Sequence, residues 1–167
     1  MTSKIQIYNE LSQPTLGIEQ LKEFFDWMDM EWSELLRHAV NRRLSLLPAV
    51  DQLLRNFTAI KSYFLSKNHV ALHLRMFFED DLSEAYLGFI QNIFQVFQPA
   101  LKKLQGDEPI ILELYKIMNN IKISLTERRN EKFYGSIARS IMKNCDRVND
   151  VKRFNREADN FWKTAIE

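Results

Sequence analysis

Leu46, Val50, Leu53, Phe57, Ile60 and Phe64 recur at alternating intervals of four and three. That rhythm lines them on one face of a helix, or of two consecutive helices, and the face must be buried. Pro48 falls in the first turn, where a missing N–H is tolerated, and Ser45 stands where an N-cap would accept a backbone N–H. The rhythm is longest over Leu82, Ala85, Tyr86, Phe89, Ile90, Ile93, Phe94, Phe97, Leu101 and Leu104, and it predicts a helix of about six turns. Pro99 is expected to kink it, because a mid-helix proline removes one backbone hydrogen bond at a cost of about 3 kcal/mol. Gly106 reads as a C-cap and Asp107-Glu108-Pro109 as the next start, so an antiparallel helix pair follows. Ile110, Leu114, Ile117, Met118, Ile121 and Leu125 supply the partner's buried stripe.

Shorter helices are expected on either side. Ser3 to Leu11 precedes a break at Gln13-Pro14-Thr15-Leu16-Gly17, after which Leu21, Phe24, Phe25, Met28 and Trp32 recur at helical spacing opposite a solvated acidic face. Aromatic residues so placed are core before they are a cofactor box, since burying each ring contributes on the order of 2 kcal/mol without a ligand. Val70, Leu74, Phe77 and Phe78 mark another short helix, ending at Glu79-Asp80-Asp81, with Ser83 or Asp81 placed to cap the long one. The final stretch reads as one or two helices: Ile137 and Ile141, a break within 144–149, then Val148, Val151, Phe154, Ala158, Phe161, Trp162 and Ala165. No run alternates β-branched with polar residues between turn signals. The expected fold is all-α, one domain over residues 1–167 with about six or seven helices.

Composition narrows the picture further. With 46% hydrophobic and 27% charged residues the chain is globular, and a net charge of +1 supplies no global field toward nucleic acid or membrane. Only residues 128–167 are locally basic, with ten basic and six acidic side chains. Cys145, the single cysteine, has no partner for an internal disulfide and reads as a free thiol in a reducing compartment. The first residues lack the apolar run of a signal peptide, and no stretch approaches a membrane span. An intracellular, soluble protein is expected.

Catalytic candidates are poor. His69 and His73 lie at i, i+4, but Val70, Ala71 and Leu72 intervene, with neither the glutamate of H-E-x-x-H nor a third ligand. Glu79, Asp80 and Asp81 diverge around a helix end and face water. Neither a Gly-rich phosphate loop nor G-x-S-x-G occurs. The residues therefore imply no enzyme, cofactor, metal or small-molecule substrate.

Arg37, His38, Arg42 and Arg43 crowd the entrance to the striped helix in the run His38-Ala39-Val40-Asn41-Arg42-Arg43-Leu44-Ser45-Leu46-Leu47-Pro48-Ala49-Val50. This run, with LKEFFDWMDMEW before it and AIKSYFLS, FFEDDLSEAYLGFIQN and KFYGSIARSIMKN after it, resembles the helical region of hAT-superfamily transposases and of the cellular proteins domesticated from them, often fused to BED zinc fingers. The resemblance covers most of the chain and rests on order and spacing. It implies a match to the helical insertion that interrupts the RNase H-like catalytic core, without that core's acidic triad, the BED finger or the C-terminal dimerisation region. It also implies contact with transposon ends and a nuclear location. In the family a tryptophan follows the motif arginine and stacks on a base; Arg42 matches the arginine, but Arg43 replaces the tryptophan.

Two readings follow. One is a catalytically inactive, transposon-derived scaffold that binds protein through apolar helix faces. The other is a weak DNA-binding module using Arg37, Arg42 and Arg43 with Arg128, Arg129, Lys132, Arg139 and Lys143. The first requires exposed apolar surface; the second requires the basic groups to converge.

Overall fold

In a computed structural model the described residues are 23–24, 46–68, 70–104 and 111–166. They form seven helices and no strand: α1 (Leu46–Arg55), α2 (Phe57–Ser66), α3 (Leu72–Glu79), α4 (Ser83–Leu104), α5 (Ile111–Asn130), α6 (Ser136–Lys143) and α7 (Val148–Ile166). The protein is all-α. The chain divides into two compact units, Met1–Ser83 and Glu84–Glu167. The expected helices at 3–11 and 21–32, and the Gly106–Pro109 connection, lie outside the described residues, apart from helical Glu23 and Phe24.

In the first unit the apolar stripe divides between two helices at Asn56. This residue leaves the helical region (φ −102°, ψ 11°) while its buried side chain donates to the Gln52 carbonyl at 3.0 Å. The stripe survives the interruption: Leu47, Val50 and Leu53 are buried on α1, and Phe57, Ile60 and Tyr63 on α2. Phe64 stacks on Phe78 of α3, centroids 5.3 Å apart and 7° from parallel. Phe57 meets Phe77 and Phe78 edge-on or tilted, arrangements that satisfy ring quadrupoles beyond area burial.

The turn from α3 into α4 is held differently from the expectation. Asp80 Oδ1 accepts the Leu82 N–H at 3.1 Å, Asp81 pairs with Lys61 at 3.8 Å, and the Ser83 hydroxyl points back to donate to the Phe77 carbonyl. Ser83 thus serves the end of the preceding helix rather than the start of its own.

In the second unit the helical pattern of α4 continues through Pro99. Lys103 near its end meets Glu113 at the start of α5, and Asn92 further back meets Arg128 near the end of α5. The two helices therefore run antiparallel, as expected. Phe89 is the hub of the core, with Tyr134, Phe154, Phe161 and Trp162 all between 5.3 and 6.1 Å from its centroid and steeply inclined. Phe154, Ala158 and Trp162 form the buried stripe of α7, which packs on α5. Val148 and Ala165, expected in that stripe, are exposed at the two ends of the helix.

Two glycines let the chain approach α4 closely. A Cβ on Gly88 would lie 2.8 Å from Ile137 Cβ, and one on Gly135 would lie 2.8 Å from Asn92 Cβ. Gly135 also has φ +96°, a region only glycine enters without strain.

The α5 stripe departs most from expectation. Ile117 and Leu125 are buried and Ile121 is half-buried, but Leu114 and Met118 are 43% and 57% exposed. At about 100° per residue, Leu114 and Met118 point some 60° and 100° away from Ile117. No described neighbour covers that side of the first half of α5.

Candidate functional site

Three side chains at the junction of α5 and α6, those of Arg128, Phe133 and Arg139, build a node around buried Asn92 of α4. Its Nδ2 donates to the Phe133 carbonyl at 3.2 Å, and its Oδ1 accepts from Nη1 of Arg128. The Arg128 guanidinium carbon lies 5.3 Å from the Phe133 ring centroid and that of Arg139 lies 5.0 Å from the same centroid, each within cation–π range. Neither guanidinium forms an ion pair among the described residues. Two cations thus share one ring, neither of them ion-paired among the described residues.

The structure accordingly brings together part of the basic set. Lys132, exposed and at φ 49°, directly precedes Phe133. Lys143 is exposed one turn beyond Arg139 on α6, and Arg129 is half-buried in the last turn of α5. Arg37, Arg42 and Arg43 lie outside the described residues, as does His69. The local field is mixed, because Glu127 and Glu131 share the turn with Arg128.

A groove runs from this node along the α4–α5 seam. Its wider end, about 490 Å³, is lined by Gln95, Ser124, Glu127, Arg128, Glu131 and Phe133. Its narrower end, about 200 Å³, is walled mainly by Val96, Pro99, Ala100, Ile117 and Ile121. Val96, Pro99 and Ser124 border both. Small residues cause the hollow: Pro99, Ala100 and Ser124 face a seam that longer side chains would fill. Because Pro99 has no N–H, the Gln95 carbonyl loses its i+4 helical donor at the groove wall.

Asn92, Phe133 and the Gln95 carbonyl were not among the sequence candidates. The available signal was polar Asn92 at the i+3 position from Phe89 inside the strongest apolar rhythm of the chain, a placement that implies a buried polar partner.

The other apolar surface is the outward stripe of α5. Tyr115 is 82% exposed, beside Leu114 and Met118. In the first unit, Leu72 and Met76 are exposed at i, i+4 on α3. In the second unit the Tyr134 phenol is pushed above the ordinary tyrosine range by burial and secondarily by the Asp159 carboxylate. Neither its hydroxyl nor the Trp162 indole N–H has a partner among the described residues.

Among the described residues no three His, Cys, Asp or Glu side chains gather as a metal site, and no helix is long and apolar enough to cross a membrane. No protein-family model, curated protein or solved structure matches the chain.

Proposed function

We propose that the chain is a non-catalytic, transposase-derived helical scaffold that binds another protein through the outward face of α5. The supporting observation is the uncovered stripe of Leu114, Tyr115 and Met118 on a helix whose adjoining face, through Ile117 and Leu125, is packed. Burying three such side chains contributes on the order of 1.5 to 3 kcal/mol each, enough to drive association once a complementary face is present. The resemblance to the hAT helical insertion favours the same reading, since that insertion packs against a catalytic core in its parent proteins. A nuclear location accompanies this reading by resemblance. The test is co-purification: Tyr115→Glu with Met118→Glu should keep the helical circular-dichroism spectrum and lose the bound protein. Unchanged co-purification rejects the stripe as the interface.

A DNA-binding reading is favoured by one observation, the convergence of Arg128 and Arg139 on Phe133. Glu127 and Glu131 beside them oppose it. Fluorescence anisotropy on blunt and flapped duplexes decides between the readings. The scaffold reading expects weak binding removed by moderate salt, because few phosphates are neutralised, each contributing a slope of about 0.9. Tight binding with a steep salt dependence, lost on Arg128→Gln with Arg139→Gln, would replace the scaffold reading. The non-catalytic reading expects no nicking of duplex ends with magnesium or manganese; nicking abolished by changing Glu79, Asp80 and Asp81 would overturn it.

A further inference from the structure

We infer that the α4–α5 groove is a second binding site, on a different side of α5 from the exposed stripe, and that it takes a short peptide segment carrying apolar side chains followed by a single carboxylate. The groove offers a matched set of groups to such a chain. Val96, Pro99, Ala100, Ile117 and Ile121 form an apolar trough at one end. Arg128 stands at the other end, with one N–H engaged by neutral Asn92 Oδ1 and no carboxylate paired to it among the described residues. Between them the Gln95 carbonyl lacks the helical donor that Pro99 cannot supply.

A peptide brings the complement of each: side chains for the trough, a backbone N–H for the carbonyl and a carboxylate for the guanidinium. The charge-assisted bond to Arg128 is the strongest of the three contacts. Lys103 and Gln95, two turns apart on α4, bracket about 12 Å of groove at 1.5 Å per residue, the span of roughly four extended residues. Glu127 and Glu131 line the same end as Arg128 and select against polyanions. A nucleic acid strand, one phosphate per nucleotide, is therefore disfavoured, and a peptide with one carboxylate is tolerated.

The experiment is chemical-shift mapping of the isotope-labelled full chain with acetyl-Leu-Ala-Leu-Glu-amide and its Gln counterpart. The expected result is saturable shifts confined to residues 95–103 and 117–133, with the Gln peptide binding at least about ten-fold weaker, since it loses a charge-assisted contact. Ser124→Trp, which fills the seam from a half-buried position, should abolish those shifts while leaving the rest of the spectrum in place. Arg128→Lys should weaken the Glu peptide more than the Gln peptide, which a purely structural role for Arg128 would not produce. Equal affinity for both peptides, no saturable shifts in the groove, or displacement of the peptide by single-stranded oligothymidylate would overturn the inference. Tyr115→Glu with Met118→Glu should leave peptide binding unchanged, so the groove and the stripe stand or fall separately.

Discussion

Arg128 donates from Nη1 to Oδ1 of Asn92, joining the end of α5 to the middle of α4 across 36 residues of chain. Asn92 in turn donates to the Phe133 carbonyl, so one buried amide fixes both the helix pair and the turn that leaves it. Asn92→Ala should lower unfolding stability by about 2 to 3 kcal/mol, because the Phe133 carbonyl and the Arg128 guanidinium both lose a partner in a partly dry site. Asn92→Leu should do no better, since the apolar side chain satisfies neither. Urea denaturation would measure both.

Gly135 presses against the same node. Gly135→Ala combines a φ of +96° with a Cβ placed 2.8 Å from Asn92 Cβ, and the expected loss is about 2 to 3 kcal/mol from backbone strain and contact together. Gly88→Ala meets contacts alone, with Ile137 Cβ at 2.8 Å and the Ala138 nitrogen at 3.2 Å, without the positive φ, and should cost less. A thermal melt of the two variants side by side would show that order.

Tyr134 ties stability to alkaline pH. Its phenol is pushed upward by burial and by Asp159, so the folded chain holds the proton where the unfolded chain has begun to release it. Above the unfolded tyrosine value the unfolded state binds fewer protons, and stability falls as pH rises through that window. Tyr134→Phe should remove this part of the alkaline loss. At neutral pH it should cost nothing or stabilise slightly, because the hydroxyl has no partner among the described residues. Denaturant midpoints between neutral and strongly alkaline pH would check both statements.

Two positions on one side of α5, two turns apart, should respond in opposite ways to substitution. Leu125→Ala, at a fully buried position, should cost about 2 to 5 kcal/mol. Met118→Glu, in the uncovered first half of the helix, should change stability by no more than about 0.5 kcal/mol. Equal losses at both positions would mean that the stripe is already packed.

Helix positions were legible in the sequence wherever apolar spacing was dense, as in α4 with its run from Leu82 to Leu104, and the antiparallel α4–α5 pair followed from it. What spacing could not reveal was which apolar residues would find a neighbour. Leu114 and Met118 keep the rhythm of Ile117 and Ile121, yet a 3.6-residue period fixes a face only to within a wide arc. Which part of that arc is covered is set by tertiary packing, here by α7. Asn56 shows a similar limit: the stripe from Leu46 to Phe64 passes unbroken through a residue that leaves helical geometry, because an i, i+3, i+4 pattern does not register a single interruption. The polar node escaped for another reason. Asn92 lies 36 residues before Arg128 and joins Arg128, Phe133 and Arg139 in a site only when Gly88 and Gly135 let the 135–138 segment approach α4.

Site-specific photo-crosslinking from position 115 in cells producing the full chain tests the scaffold reading most directly, with exposed Lys152 on α7 as the control position. A photoreactive residue in place of Tyr115 should give a discrete adduct with one other protein, absent from position 152 and lost when Met118→Glu is added. A diffuse set of adducts matching that from position 152, or an adduct that survives Met118→Glu, would contradict the claim that the open face of α5 is where this protein binds its partner.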